Sequence, residues 1–295
     1  MADGELGSRR VEANGMRFNV LEAGSGDRLA LCLHGFPELA FSWRHQLPVL
    51  AGEGWRVWAP DLRGYGLSDR PVGREEYAIE KLLDDVAGLC DASGARETWL
   101  VAHDWGGVIA WLFAMRRLRP LARLTIMNLP HPACFERALS HGFRQRLRSW
   151  YAFFFQLPRG HEKLLGAGRA AMVGRAFREM AVNKANFPES VLDVYRRAAL
   201  EPGALTAMVN YYRAFVSGGG ARRQRSLGYP KIDVPTLVIW GERDTALGVE
   251  TLQGTEQYVS NLTLHRLPNA SHWVQQDAPE EVSALLVAWS RSLGR

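Results

Sequence analysis

Asp104 stands in Ala102-His103-Asp104-Trp105-Gly106-Gly107, between an apolar run, Thr98 to Val101, and a helix-forming stretch, Val108 to Arg116. A strand, a sharp turn through small residues and a helix make a nucleophile elbow, which usually reads G-x-S-x-G with serine at its tip. No G-x-S-x-G occurs in this chain, and the tip is a carboxylate. That changes the chemistry. Serine attacking a saturated carbon would leave an ether that water cannot easily remove. Aspartate leaves an ester, and water can attack its carboxyl carbon. Asp104 therefore predicts hydrolysis of a strained or activated C–O or C–halogen bond through an alkyl-enzyme ester. The plainer role for an Asp at this place is a helix cap.

A nucleophile of this kind needs an acid and a base after it in the chain, in that order. Asp244 follows the apolar run Thr236 to Trp240, and His272 follows Leu262 to Leu267. His272 is expected to activate water, with Asp244 orienting it and stabilising its charge. Glu242 lies two residues nearer the strand, and Asp277, just before Ala278-Pro279, reads as a helix cap. Ester hydrolysis also needs N–H donors for the developing oxyanion. These fall to the backbone of Trp105, after the nucleophile, and of Phe36, at the end of an earlier strand. The Phe36–Pro37 peptide is expected to be cis in so tight a turn. His34 and His103 read as loop-holding residues, and His131 as a residue that could touch substrate. Tyr151 and Tyr212 are phenols that could protonate a leaving oxygen, although buried tyrosines are usually core residues.

The elements that must position these groups alternate. Met16 to Leu21, Leu29 to Leu33, Trp55 to Ala59, Thr98 to Val101, Leu121 to Leu129, Thr236 to Trp240 and Leu262 to Leu267 read as strands. Helical patterns cover Trp43 to Ala51, Ile79 to Asp91, Val108 to Arg116 and Val282 to Leu293. This predicts an α/β fold, a mostly parallel sheet with helices on both faces. His34, Asp61, Asp104, Asn128 and Asp244 would all fall at carboxyl ends of strands, where such sheets place their sites. Residues 131–228 break the alternation, with aromatics and arginines at helical spacing and almost no strand signal. They read as a helical lid inserted into a core of residues 1–130 and 229–295, ending in a flexible tract, Ser217-Gly218-Gly219-Gly220.

The 295 residues can bury a large core, and 47% hydrophobic with 23% charged residues is ordinary for a soluble globular chain. The N-terminal MADGELGSRR has no apolar stretch of a signal peptide, and no run is long enough to span a membrane. Cys32, Cys90 and Cys134 are scattered and odd in number, which points to reduced thiols and a cytoplasmic protein. The net charge of +5 is uneven: residues 131–228 hold 16 Lys and Arg against 6 Asp and Glu, or +10, leaving 20 against 25, or −5, elsewhere. Dispersal among leucines and aromatics favours solvated helix faces over a nucleic-acid patch, with a weak preference for anionic surfaces or lipids left open. No metal-ligand spacing or cofactor fingerprint is present, so no metal and no cofactor are expected. Stable membrane insertion is not expected, and homodimer formation stays open.

His34-Gly35-Phe36-Pro37-Glu38 together with His103-Asp104-Trp105-Gly106-Gly107 resembles the epoxide hydrolases of the α/β-hydrolase superfamily. The resemblance runs on through Asp61 to Asp69, Gly241 to Asp244 and Ser271-His272-Trp273, nearly the whole chain. It implies the α/β-hydrolase fold, conversion of a small apolar epoxide to a vicinal diol, and two lid tyrosines that activate the epoxide. The Tyr-x-x-x-Phe-Gln-x-Pro pattern maps one onto Tyr151 and Asn-Tyr-Tyr-Arg maps the other onto Tyr212, with Tyr211 as the fallback and Trp273 as a further substrate contact. Ala102 departs from the glycine common there, but is small enough for the elbow. Haloalkane dehalogenases share the Asp but usually carry Asn where this chain has Phe36; fluoroacetate dehalogenases carry Arg where it has Trp105 and Val108. A silent ligand receptor on the same fold would not need the full set of Asp104, Asp244 and His272.

Overall fold

A computed structural model describes residues 6–157 and 160–293. The first half of the sheet comprises β1 (Gly7–Ala13), β2 (Met16–Ala23), β3 (Arg28–Leu33) and β4 (Arg56–Pro60), with α1 (Gln46–Gly52) before β4. α2 (Ile79–Ser93), β5 (Glu97–His103), α3 (Trp105–Arg116) and β6 (Arg123–Met127) follow. Helical segments follow among the described residues: α4 (Pro132–His141), α5 (Phe143–Arg148), α6 (Trp150–Phe154), α7 (His161–Met180), kinked by non-helical backbone from Ala167 to Ala170, α8 (Glu189–Leu200), α9 (Ala204–Phe215) and α10 (Gly220–Ser226). β7 (Thr236–Gly241), β8 (Leu262–Leu267), α11 (Val274–Asp277) and α12 (Pro279–Ser292) complete the chain. The strands form one sheet in the order β1-β2-β4-β3-β5-β6-β7-β8. β1 and β2 run antiparallel to their neighbours, and the other pairings are parallel.

The central strands are buried on both faces, so β3 and β5 are near-continuous apolar runs rather than alternating ones. One hydrophobic cluster, with Trp111, Phe113 and Val86, fills one side of the sheet; a second, with Trp43, Leu47, Trp99 and Leu286, fills the other.

Four sequence expectations need correction. β1 is an additional strand that the sequence reading does not include; its Ser8, Arg9 and Arg10 are exposed, and only Val11 and Ala13 are buried, so it lacks a clear apolar alternation. β6 stops at Met127 instead of Leu129, because Asn128 takes a left-handed backbone (φ 41°) that ends the extended run. The Gly218-Gly219-Gly220 tract is a turn rather than a loose linker: the Gly218 N–H donates to the Arg213 carbonyl, and Gly219 (φ 79°) leads directly into α10. Asp277 does not cap α12, whose first turn starts after Ala278 without a side-chain bond. Its carboxylate instead accepts from the N–H groups of Ser271, Val182 and Asn183 at 2.8, 3.2 and 2.7 Å. Asp277 thereby ties the His272 loop to the segment between α7 and α8. Asn186 adds bonds to the carbonyls of Gln276 and Asp277, and the Tyr195 hydroxyl donates to Gln276.

Candidate active site

β5 delivers Asp104 into a backbone conformation (φ 47°, ψ −118°) that side-chain-bearing residues seldom adopt. Two glycines allow that turn to close. A Cβ on Gly106 would lie 2.2 Å from the Leu33 carbonyl oxygen, and one on Gly35 would lie 2.4 Å from the Asp104 Cβ. The Asp104 carboxylate makes no capping bond to α3. It points instead at the β3 loop, where the Phe36 N–H donates to Oδ1 at 2.8 Å. The Phe36–Pro37 bond is cis. Trp105 opens α3, so its N–H has no acceptor within the helix.

β7 and β8 bring in the other two groups. His272 Nδ1 lies 2.7 Å from Asp244 Oδ2, and His272 Nε2 lies 3.7 Å from Asp104 Oδ2. Asp244 is held from several sides: the Asn128 amide donates to Oδ2 at 2.8 Å, and the Ala246 and Leu247 N–H groups donate to Oδ1 at 2.7 and 2.8 Å. Asn128 also spans Gly241, donating to its carbonyl and accepting from its N–H. Burial by itself would raise the Asp244 pKa, but His272 and these donors outweigh it and keep the carboxyl below its ordinary value. For His272 burial acts downward, yet the charges of Asp244 and Asp104 win and push its pKa up to about 9.

Glu38, from the loop after β3, is a residue that sequence reasoning names only as part of a motif. It is fully buried, and its carboxylate accepts from the Gly35 N–H, the Gln275 and Gln276 amides and His103 Nδ1. Burial would raise its pKa, but His103 beside it holds the carboxyl down at about 2. The other ring nitrogen of His103 faces the His272 carbonyl at 2.8 Å. His103 thus bridges the Phe36 loop and the His272 loop. His34 does comparable work, with Nδ1 on the Gly35 carbonyl and Nε2 accepting from the Leu62 N–H. Only the HGFPE spacing hinted at Glu38, and for Asn128 only its place at a strand end.

A cavity of about 400 Å³ opens above Asp104 and Trp105, and Tyr151 of α6 and Tyr212 of α9 line it together with Leu129, Phe135 and Leu247. The two tyrosine rings meet edge to face at 5.9 Å. Tyr212 also packs on Phe36 and Trp105 at 5.2 and 5.0 Å. Burial first, and then the Asp104 charge, raise both phenols above their ordinary value, so they keep their protons at neutral pH.

Three expected substrate contacts lie elsewhere. The Tyr211 hydroxyl donates to the Arg63 carbonyl at 2.8 Å, and its ring sits among Tyr65, Tyr77 and Trp105 in the core. One residue along a helix turns the side chain by about 100°, which separates it from Tyr212. His131 is fully buried, accepts from the Ala133 N–H at the start of α4 and stacks on Tyr258; burial lowers its pKa to about 3. Trp273 donates to the Ala176 carbonyl and packs on Phe177. None of the three lines the cavity.

Residues 31–279 match the family described as the alpha/beta hydrolase fold. The chain is 36% identical to epoxide hydrolase 4 of Mus musculus over 293 residues, covering 95% of this chain and 78% of that protein. It is 34% identical to epoxide hydrolase A of Mycobacterium tuberculosis over 319 residues, covering 97% of each. Among solved structures, a mutant of an epoxide hydrolase from Bacillus megaterium superposes with a TM-score of 0.88 at 31% identity, covering 96% of this chain and all of that one.

Proposed function

The chain belongs to the epoxide hydrolases of the α/β-hydrolase fold, and from that premise we propose a two-step route in which its own residues turn a small apolar epoxide into a vicinal diol. The observation that carries the proposal is the setting of Asp104: one carboxylate oxygen on the Phe36 N–H, the other facing His272, both beneath a cavity lined by two phenols.

Residues 131–228 act as the lid that carries those phenols over the strand ends. In the first step Asp104 Oδ2 attacks an epoxide carbon, the C–O bond breaks, and Tyr151 or Tyr212 gives a proton to the ring oxygen. Oδ1 stays at the Phe36 N–H and becomes the ester carbonyl. In the second step His272 Nε2 takes a proton from water, and the hydroxide adds to the Asp104 carboxyl carbon. Charge on Oδ1 is then held by the Phe36 and Trp105 N–H groups. Collapse releases the diol alkoxide, which is protonated from His272, and the proton left on the Asp104 carboxyl passes to the tyrosinate of the first step, restoring both Asp104 and the phenol.

The charge balance supports a self-timed base. With Asp104 ionised, the two carboxylates raise His272 to about 9 and keep it protonated at neutral pH. Alkylation turns Asp104 into a neutral ester and removes one of those charges. The His272 pKa falls, and the ring becomes a base when the ester is present and water must be activated.

Single turnover in heavy-oxygen water tests the scheme. The label is expected in Asp104; label found only in the diol would mean direct attack by water. A parallel assay with 1-chlorobutane and fluoroacetate separates this reading from a dehalogenase, since halide release without diol would demote both tyrosines to lid packing.

A further inference from the structure

The lid carries a surface that epoxide chemistry does not use. Phe143, Leu147 and Trp150 recur at helical spacing along α5 and α6 and are 72%, 57% and 61% exposed. Phe153 continues the stripe at 64% exposure, and Trp150 leans on Phe154 at 5.9 Å between ring centres. Large apolar side chains left bare in such a row mark a contact surface.

The charge around the stripe says what it contacts. Residues 137–157 hold four arginines, Arg137, Arg144, Arg146 and Arg148, and no acidic residue. Arg137 and Arg146 donate to backbone carbonyls, which leave their charge in place. Arg148 is paired with Glu250, while exposed Arg144 has no ion pair among the described residues. A second copy of this chain would bring the same +10 segment against itself. An apolar stripe flanked by uncompensated arginines fits an anionic, apolar-cored surface instead.

We propose that the exposed face of α5 and α6 docks on anionic lipid bilayers, seating Trp150, Leu147 and Phe143 in the interface with Arg144 at the headgroups. The attachment is peripheral, since no helix among the described residues is long and apolar enough to cross a membrane. The position also suits an apolar substrate. Phe153 belongs both to the stripe and to the wall of the cavity above Asp104, so the cavity mouth lies beside the docking face.

The test is co-sedimentation of the whole chain with vesicles of phosphatidylcholine alone and of phosphatidylcholine mixed with phosphatidylglycerol, at low and high salt. Binding is expected only to the mixed vesicles, and to weaken as salt screens it. The double variant Leu147→Ser, Trp150→Ser should abolish binding, and Arg144→Gln should weaken it about fivefold. Both should melt where the parent does, because these side chains are exposed and lie outside the cavity. Three results would overturn the proposal: no binding of the parent to either vesicle, binding that the double variant retains, or a dimer in buffer that the double variant dissolves. None of these readouts depends on turnover, so they leave the reaction scheme to be judged separately.

Discussion

The strand-end half of the site and the lid half are held by different forces. Asp104, Asp244 and His272 sit on loops after parallel strands, and directional hydrogen bonds fix their atoms. Tyr151 and Tyr212 are placed mainly by packing of aromatic rings, Phe36, Trp105, Phe155 and each other, with one side-chain hydrogen bond between Trp105 and Tyr212. Hydrogen bonds set angles, whereas ring packing fills volume and tolerates small rotations. The covalent step proposed for Asp104 needs the first kind of support, because in that scheme attack and ester hydrolysis share one carboxylate that must meet both substrate and base. Proton donation to a ring oxygen tolerates the second, especially with two donors.

This contrast can be broken by substitution. Asp104→Ala should abolish diol formation, a loss of about 10⁴-fold or more, because no other group can form the ester. His272→Gln should cut steady turnover by about 10³-fold while the first step proceeds, so intact-protein mass should show an adduct on Asp104. Failure of that adduct to appear would place His272 in the first step as well. On the lid side, Tyr151→Phe and Tyr212→Phe should each cost about 10- to 100-fold in kcat, with the double variant losing more than the product of the two, since each phenol covers for the other. Simple additivity would mean that the two phenols act independently. Asn128→Ala removes one of the bonds on Asp244 and should lower kcat by about tenfold with little change in KM.

The smallest effect is on stability against pH. His272 is raised from an ordinary 6.5 to about 9 in the folded chain. The folded state therefore holds its proton more tightly than the unfolded one, and the resulting stability is complete below about 6.5 and disappears as pH rises through 9. Tm should fall by a few degrees across that window, and His272→Gln should flatten the slope. An unchanged slope in the variant would assign the loss to other groups.

Much of this site was legible in the residues because its geometry follows chain order. Apolar runs mark the strands, a parallel sheet sends their carboxyl ends to one edge, and Asp104, Asp244 and His272 stand just past three of them. Residue type then narrowed the proposed reaction to hydrolysis of a C–O or C–halogen bond, since an aspartate at an elbow would leave an ester that water can open, and the family pattern pointed to the epoxide. The lid was less legible. Helical spacing marks helices but not their neighbours, so Tyr151 and Tyr212 came from a family pattern, and Tyr211 was separated from Tyr212 only once its hydroxyl was found on the Arg63 carbonyl.

The sequence alone therefore determined the chain order of the candidate nucleophile, acid and base, their places after strands, and the helical, basic character of residues 131–228. Only the tertiary structure decided which buried groups serve them. Glu38 and His103 join two loops, Asn128 steadies Asp244, and Asp277 fastens the lid instead of capping a helix. Each of those roles depends on a partner tens to hundreds of positions away or on a backbone N–H brought near by folding. A local pattern of residue types carries no record of such distant contacts, while strand ends and helix faces are written in the residues themselves.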